Sequence, residues 1–457
     1  MANAEELETL QKAANLKAAG FLRDAVDLCE ILVRDNPDFF EAHAIKMEAL
    51  QYAEDGTVDE IFDSLRFWTA LNPPHNTEPA EPVISAPPRD KLRVGYMALD
   101  FCANPATLGT LPALHFHNRE QFHISGYADL SRPDGATEQF LQRCDSHRNF
   151  SGVSSTDAAR MIREDEIDIL IILAAHTARW LPAIARHRPA PVQISWHNNC
   201  SVGIPEVDYF IGDCISTPRD GTEPFLERVI HMPCWTIQAF PHEMPDITAP
   251  PVQVNNYVTF GSFNNPIKIT TRVISLWSRV LQQVPNSRLL LKFYDIYTNT
   301  ALTERIAKGF TDHGIAADRI QFLDSTENRG QHLAQYNRID IALDPFPFSG
   351  ATTTFEALLM GVPVISLLGD RFVARMSSSL LHSVGLQAFS AASEEAYIVR
   401  ATELAGNVDF LARIRGALRP MLQASRLHDS RRFTRNLERV YRAAWRIRQT
   451  KMAQPSQ

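Results

Sequence analysis

Short β-rich runs alternate with helical stretches along most of this chain, and no other feature constrains its fold as much. The runs cover residues 92–96, 123–127, 167–173 and 192–195, then, beyond a proline-rich break at 241–254, 258–263, 289–292, 339–343 and 362–367. Strands separated by helix-length connections build parallel sheets flanked by helices. The pattern therefore predicts an α/β protein of two Rossmann-like lobes. In open sheets of this kind ligands bind beyond the carboxyl ends of the strands, so the residues that follow each run are the candidates for chemistry.

Upstream of the strands, residues 1–75 read as paired helices. Gly20-Phe21-Leu22-Arg23-Asp24-Ala25 followed by Asn36-Pro37 recurs 36 residues later as Gly56-Thr57-Val58-Asp59-Glu60-Ile61 followed by Asn72-Pro73. This period is close to the ~34 residues of a tetratricopeptide (TPR) repeat; an unrelated four-helix segment is the alternative. Residues 76–91, rich in proline, read as a semi-rigid linker. The first lobe is expected at 92–245, the second at 255–430 and a closing amphipathic helix at 431–449. Between positions 411 and 451 stand twelve Lys/Arg against two acidic residues, which at helical spacing fit a packed helix with solvated arginines better than a nucleic-acid or membrane site.

The formal net charge of −8 argues against a general affinity for nucleic acid or anionic membrane, since both depend on Lys/Arg facing phosphates. No apolar run approaches the ~20 residues of a membrane span, and the polar start MANAEELETL has no signal-sequence pattern. A cytoplasmic protein is expected. The six cysteines include no C-x-x-C pair, so neither a zinc site nor a redox motif is indicated, and no metal or cofactor is expected.

Four strand ends carry the candidates. After 339–343 comes Asp344-Pro345-Phe346-Pro347-Phe348-Ser349-Gly350-Ala351-Thr352-Thr353-Thr354-Phe355-Glu356. A strand, a small turn at Gly350 and hydroxyls at a helix start form an anion site, with Thr352 and Thr353 able to hold a diphosphate; a plain helix cap is the alternative. Phe263-Asn264-Asn265-Pro266-Ile267-Lys268 follows the first strand of the second lobe, where a lysine can neutralise a leaving phosphate. Arg329 and His332 form a polar pair just before 339–343. In the first lobe, His176 follows 167–173 as a candidate base or as a histidine bonded to a backbone carbonyl, and Asp100 follows 92–96.

These segments resemble the O-GlcNAc transferase / SPINDLY family. The match runs in order through LRVGYMALDF, DILIILAAHT, RPAPVQISW, VDYFIGD, FGSFNNPIK, RIDIALDPFPFSGATTTFEALLMGVPVISLLGD and RFTRNLERVYRAAW. The resemblance implies a GT-B fold preceded by TPR-like repeats, and inverting transfer of a sugar, GlcNAc-like and UDP-linked, to Ser/Thr of a protein. It implies that Lys268 holds the donor diphosphate with Thr352, Thr353 and Gly350, that Asn265 contacts the donor, that Glu356 meets the ribose, and that Arg329 and His332 lie near the base. His176 matches the histidine of a bacterial Gly-His-Thr motif.

Two departures fall on the acceptor side. The family's Asp-Phe-x-x-His-Pro reads Asp100-Phe101-Cys102-Ala103-Asn104-Pro105 here, and asparagine takes no proton at neutral pH. The glycine-rich loop after the tryptophan reads His197-Asn198-Asn199-Cys200-Ser201-Val202-Gly203. Asp100, Asn104 and His197 are therefore acceptor-side candidates with a changed role. The expected partner is a protein acceptor of specialised kind, a bacterial surface or flagellar protein. Two other functions fit the same residues: an inactive nucleotide-binding adaptor and a nucleotide-sugar epimerase.

Overall fold

The computed structural model describes residues 3–71, 90–178, 180–241 and 244–453; the linker read at 76–91 lies almost wholly outside them. Four helices come first: α1 (Ala4–Ala18), α2 (Leu22–Asp35), α3 (Phe40–Tyr52) and α4 (Val58–Leu71). Asn3 and Glu6 start α1 with a reciprocal capping box. Leu22, Ala25, Val26, Cys29 and Leu32 recur at helical spacing and bury one face of α2 between α1 and α3. Pro37 stops α2 by forcing Asn36 out of the helical region, to φ −136° and ψ 85°.

The first sheet contains β1 (Leu92–Met97), β2 (Phe122–Ala128), β3 (Ser146–Asn149), β4 (Ile169–Leu173), β5 (Val192–Trp196), β6 (Tyr209–Gly212) and β7 (Arg228–His231), in the order β3-β2-β1-β4-β5-β6-β7. The second contains β8 (Thr259–Ser262), β9 (Arg288–Lys292), β10 (Ile320–Leu323), β11 (Ile341–Leu343), β12 (Val364–Leu367) and β13 (Ser390–Ala391), in the order β10-β9-β8-β11-β12-β13. Every pairing is parallel. Each sheet grows outward from its first strand and then restarts on that strand's other side. The resulting switch points, β1/β4 and β8/β11, are where the connecting loops diverge and leave a crevice.

Burial explains which strands the sequence announces. All five residues of β4 are inaccessible to solvent, because helices cover both faces of a central parallel strand and make it read as a continuous apolar run. β3, β7, β10 and β13 stand at sheet edges, and β6 is only four residues long next to an edge. Their hydrophobic signal is correspondingly short, and the spacing argument does not predict them.

The chain divides into two compact units, one drawn from Met1–Ile61 and Phe240–Leu427, the other from Phe62–Ala239 and His428–Gln457. The helix Ser430–Ala453 thus belongs with the first sheet, packing on the helix Pro105–Phe116 and on β5. A buried relay ties it down: Asn118 N and His117 Nδ1 donate to Glu438 Oε1 at 2.8 and 3.1 Å, so His117 Nε2 is left to accept from Tyr96 Oη at 2.8 Å, and Tyr441 Oη completes the chain 2.9 Å from Tyr96. Arg431, Arg432, Arg435 and Arg439 of this helix face solvent. Among the described residues no helix is long and apolar enough to cross a membrane.

Beside the second sheet, the helix Thr352–Leu359 ends at Gly361, whose φ of 75° closes the last turn by letting Val362 N reach the Ala357 carbonyl at 2.8 Å. A Cβ at this position would lie 2.6 Å from the Arg415 carbonyl oxygen. Gly361→Ala should therefore lower stability by about 1–3 kcal/mol, measured as a reduced urea midpoint with unchanged slope.

Candidate active site

The carboxyl ends of β8 and β11 flank the switch point of the second sheet, and both run into loops that meet there. After β8, Asn265 caps the short turn Pro266–Lys268 by accepting from Ile267 N at 3.1 Å. That turn delivers Lys268 back toward β11. Its Nζ donates to the Ser349 carbonyl at 2.8 Å and to Asn264 Oδ1 at 3.4 Å, and rests 4.4 Å from the centre of the Phe348 ring. Loss of water pushes the Lys268 amine down to about 8, against the pull of Asp344. An ammonium with two acceptors in place still has a third N–H to give.

After β11, the chain passes through residues 344–351 into the helix Thr352–Leu359. Its N-cap residue, Ala351, has no side-chain hydrogen bond to offer, so the first backbone N–H groups lack a side-chain cap and point their dipoles at the switch point. Thr352 opens the helix, and Thr353 Oγ1 donates to Asn264 Oδ1 at 2.9 Å. Asn264 therefore links the two loops, receiving both Lys268 and Thr353. Asp344 underpins the turn: its Oδ1 accepts from Gly350 N at 2.8 Å and its Oδ2 from Ser366 Oγ at 2.7 Å. Burial raises this carboxyl to about 6, opposed by the Ser366 bond and the Lys268 charge. A Cβ on Gly350 would sit 2.6, 2.7 and 2.8 Å from oxygens of Thr354, Thr353 and Asp344, so only glycine fits this turn. Below it, Trp277 Nε1 donates to Tyr397 Oη, which donates to the Asp344 carbonyl at 3.1 Å, coupling the hydrophobic core to the loop.

Glu356 lies one turn along the same helix and is 7% exposed. Its Oε2 accepts from His332 Nε2 at 3.2 Å, with Arg329 Nη2 at 3.5 Å from Oε1. His332 Nδ1 in turn faces Lys292 Nζ at 3.2 Å. Because the ammonium can only donate, His332 holds its proton on Nε2. Burial lowers the Lys292 amine, and Glu356 opposes the shift. Tyr336 closes this edge, packing on Phe263 at 4.4 Å between ring centres.

The unit that holds the first sheet carries the other candidates at that sheet's switch point. After β1, Asp100 Oδ1 accepts from Cys102 N and from Asn104 Nδ2 at 3.0 Å, while Asn104 Oδ1 caps the helix Pro105–Phe116 at Thr107 N, also at 3.0 Å. Both polar ends of Asn104 are thus occupied by its own loop. After β4, Ala174 at φ 48° turns the chain so that His176 Nε2 reaches the Ser201 carbonyl at 3.1 Å. A carbonyl only accepts, so Nε2 carries the proton and Nδ1 keeps the lone pair. Desolvation pushes this imidazole down to about 4, which makes it a weak base. After β5, His197 at φ 57° stacks on Trp196 at 4.4 Å. Its Nε2 is buried without a hydrogen-bond partner, facing Gly109, where a Cβ would be 3.1 Å away. The loop beyond is held by Glu227, which accepts from Ser201 Oγ and Val202 N, both at 2.6 Å.

A model of glycosyl transferase family 41 matches residues 75–245 and 251–437. The chain belongs to glycosyl transferase family 41. SPINDLY proteins of Solanum lycopersicum and Arabidopsis thaliana, each described as a probable UDP-N-acetylglucosamine–peptide N-acetylglucosaminyltransferase, are 32% and 31% identical over 425 and 427 residues, 90% of this chain. The chain spans 45% and 46% of their length. The O-GlcNAc transferase of Thermobaculum terrenum, solved as a lysine-to-methionine mutant, superposes on 98% of this chain and 85% of its own at a TM-score of 0.90 and 28% identity. The α/β architecture of two parallel sheets expected from the spacing is thereby the family's own.

Within this family 41 chain, Lys268 and Thr353 meet at Asn264 beside Gly350, and Arg329 and His332 of the helix Arg329–Ala334 meet Glu356 of the helix Thr352–Leu359. Several of the other candidates are also engaged within the chain. Asn265 uses its side-chain oxygen on its own turn, and the adjacent Asn264 makes the cross-loop bonds. Glu356 bonds His332 and lies 3.5 Å from Arg329. Asn104 caps the helix Pro105–Phe116. Asn264, Lys292, Asp344 and Glu227 were not singled out by sequence; a lysine ending the otherwise apolar run Leu289-Leu290-Leu291-Lys292 was the available signal for one of them.

The half-buried, desolvated imidazole of His197 predicts a pH dependence of stability. His197 is pushed down to about 3 from an ordinary 6.5 by desolvation, so the unfolded chain takes up a proton as pH falls below 6.5 while the folded chain does not. Stability is full above that value and is lost progressively as pH drops from 6.5 toward about 3. His197→Phe should shrink this acid loss, seen in calorimetric unfolding midpoints at pH 7 and pH 5, with the variant gaining most at pH 5.

Proposed function

We propose that this chain is a nucleotide-sugar-dependent glycosyltransferase that moves a GlcNAc-like sugar from a UDP-linked donor to a Ser/Thr hydroxyl of a protein, with inversion. The observation that carries the reading is the Lys268 ammonium, held by Asn264, Ser349 and Phe348 beside a helix start that has no side-chain cap. Breaking the bond between the anomeric carbon and the donor oxygen leaves its electron pair on the diphosphate. A fixed cation and free backbone N–H groups stabilise that charge most as it develops. Gly350 keeps the turn open, and Thr352 and Thr353 add hydroxyls to the same edge. The pair Arg329 and His332, with Glu356, is assigned to the base and ribose end; Asn265 remains a donor-side contact through its turn.

The acceptor oxygen attacks the anomeric carbon from the face opposite the leaving group, and its proton departs to a base. His176 at about 4 is better suited to orient the hydroxyl through Nδ1 than to remove its proton, which assigns the proton to a donor phosphate oxygen. The names of the SPINDLY relatives support a UDP-sugar donor and a peptide acceptor. A bacterial surface or flagellar protein is the first acceptor class to test. A second reading, an adaptor that binds nucleotide without turnover, draws support from Asn104, an amide that takes no proton and caps a helix instead, leaving Asp100 and Cys102 as the titratable groups of that loop.

Incubation with UDP- and GDP-sugars and protein acceptors separates the readings: sugar on protein supports transfer, nucleotide binding without turnover supports the adaptor. Lys268→Ala should reduce turnover by about a hundredfold or more with unchanged circular dichroism; full activity in that folded variant sinks the assignment. Since the lysine loses charge as pH rises through about 8, UDP affinity of the wild type should fall above that pH, and the fall should be absent from Lys268→Ala. His176→Ala should lower the rate more than UDP affinity; equal losses would give His176 a donor or structural part instead.

A further inference from the structure

The turn between α3 and α4 is fastened to three separate loops at the carboxyl edge of the second sheet. Arg272 N donates to Glu54 Oε2 at 2.8 Å, and Arg371 Nη1 donates to the Leu50 carbonyl at 3.3 Å, satisfying an acceptor in the last turn of α3. Between these anchors Tyr52, the last residue of α3, lies flat on Phe348 with ring centres 4.4 Å apart and planes within 10°. Phe348 is the ring that carries the Lys268 ammonium at 4.4 Å, and it directly precedes Ser349, whose carbonyl takes that lysine's 2.8 Å bond.

Phe348 lies in a stretch without regular secondary structure, between β11 and the helix Thr352–Leu359, so no backbone ladder holds its ring in place. Its 7% exposure depends on what covers it. The stacked Tyr52 supplies such cover, and offset or parallel aromatic contact fixes the tilt of both rings. A cation over an aromatic face is held more strongly where water is excluded. Covering Phe348 therefore acts on Lys268 in two ways, through the ring beneath the ammonium and through the carbonyl attached to the next residue.

We propose that Tyr52 is a positioning residue of the donor site: by stacking on Phe348 it sets the ring and the Ser349 carbonyl that aim Lys268 at a nucleoside diphosphate, so that the N-terminal helices form part of that site. The inference rests on the reading of Lys268 as the diphosphate lysine. The ring, and not the hydroxyl, is the working part of Tyr52.

The test uses the full chain and titration calorimetry with UDP and GDP from pH 6.5 to 9.5. Tyr52→Ala should weaken nucleoside diphosphate binding about tenfold at pH 7 and move the alkaline midpoint of binding upward, because water reaching Phe348 returns the Lys268 amine toward its ordinary value. Tyr52→Phe should restore both affinity and midpoint. Glu54→Ala, which breaks the neighbouring anchor without touching Phe348, should change neither, whereas a role confined to docking the helices would move with both variants. Tyr52→Leu, which keeps apolar bulk without a ring face, serves where thermal melting shows the alanine variant to be misfolded, and the same weakening is expected of it. Wild-type affinity and midpoint in folded Tyr52→Ala or Tyr52→Leu, or equal losses in Tyr52→Ala and Glu54→Ala, overturn the proposal. Lys268→Ala run alongside distinguishes the two levels: if it leaves binding unchanged, the donor reading fails and this inference with it, and if it abolishes binding while Tyr52 variants bind normally, this inference fails alone.

Discussion

A lysine ammonium held largely away from water is the interaction on which the rest of this site depends. Lys268 keeps its charge only because Asn264, the Ser349 carbonyl and the Phe348 face replace part of its hydration, and the remaining deficit appears as an amine lowered to about 8. An anion placed beside it would relieve that deficit, which is the physical basis of the diphosphate role proposed for it. Asp344 is tuned in the opposite direction by the same burial. Its two oxygens are taken by Gly350 and Ser366, so it shapes the turn without competing as a free anion.

The scaffold makes this arrangement possible. Strand β8 and strand β11 are neighbours in the sheet, yet their loops approach from residues far apart in sequence, and they meet where parallel strands diverge. Gly350 allows the turn to close against three oxygens. The helix that follows begins without a side-chain cap, leaving its N–H groups for whatever enters. Behind it, Trp277 and Tyr397 carry the packing of the core directly to the Asp344 backbone.

In the unit that holds the first sheet, the candidate polar side chains are engaged by their own loops. Asn104 preserves a helix start where relatives of the resembled motif have histidine, and it does so by using both ends of its amide. His176 and His197 persist as neutral, desolvated rings, one bonded to a carbonyl and one stacked on Trp196. Both imidazoles are therefore weak bases, and under the proposed reaction charge stabilisation by Lys268 carries more of the work than proton removal by histidine.

Sequence alone determined the two parallel sheets, because buried central strands such as β4 must be uniformly apolar and their connections must be long enough to cross over. It also marked Lys268, Gly350 and the threonines, since glycine at a tight turn and hydroxyls before a helix are local requirements. Only tertiary structure decided that Asn264 rather than Asn265 joins the two loops, that Lys292 fixes the tautomer of His332, and that Tyr52 lies on Phe348. Each of these is a contact between segments remote in sequence, whose partners are chosen by sheet order and by which surfaces the helices leave uncovered. Edge strands β3, β7, β10 and β13 escaped for the complementary reason: half-paired and short, they bury too little to leave a periodic trace.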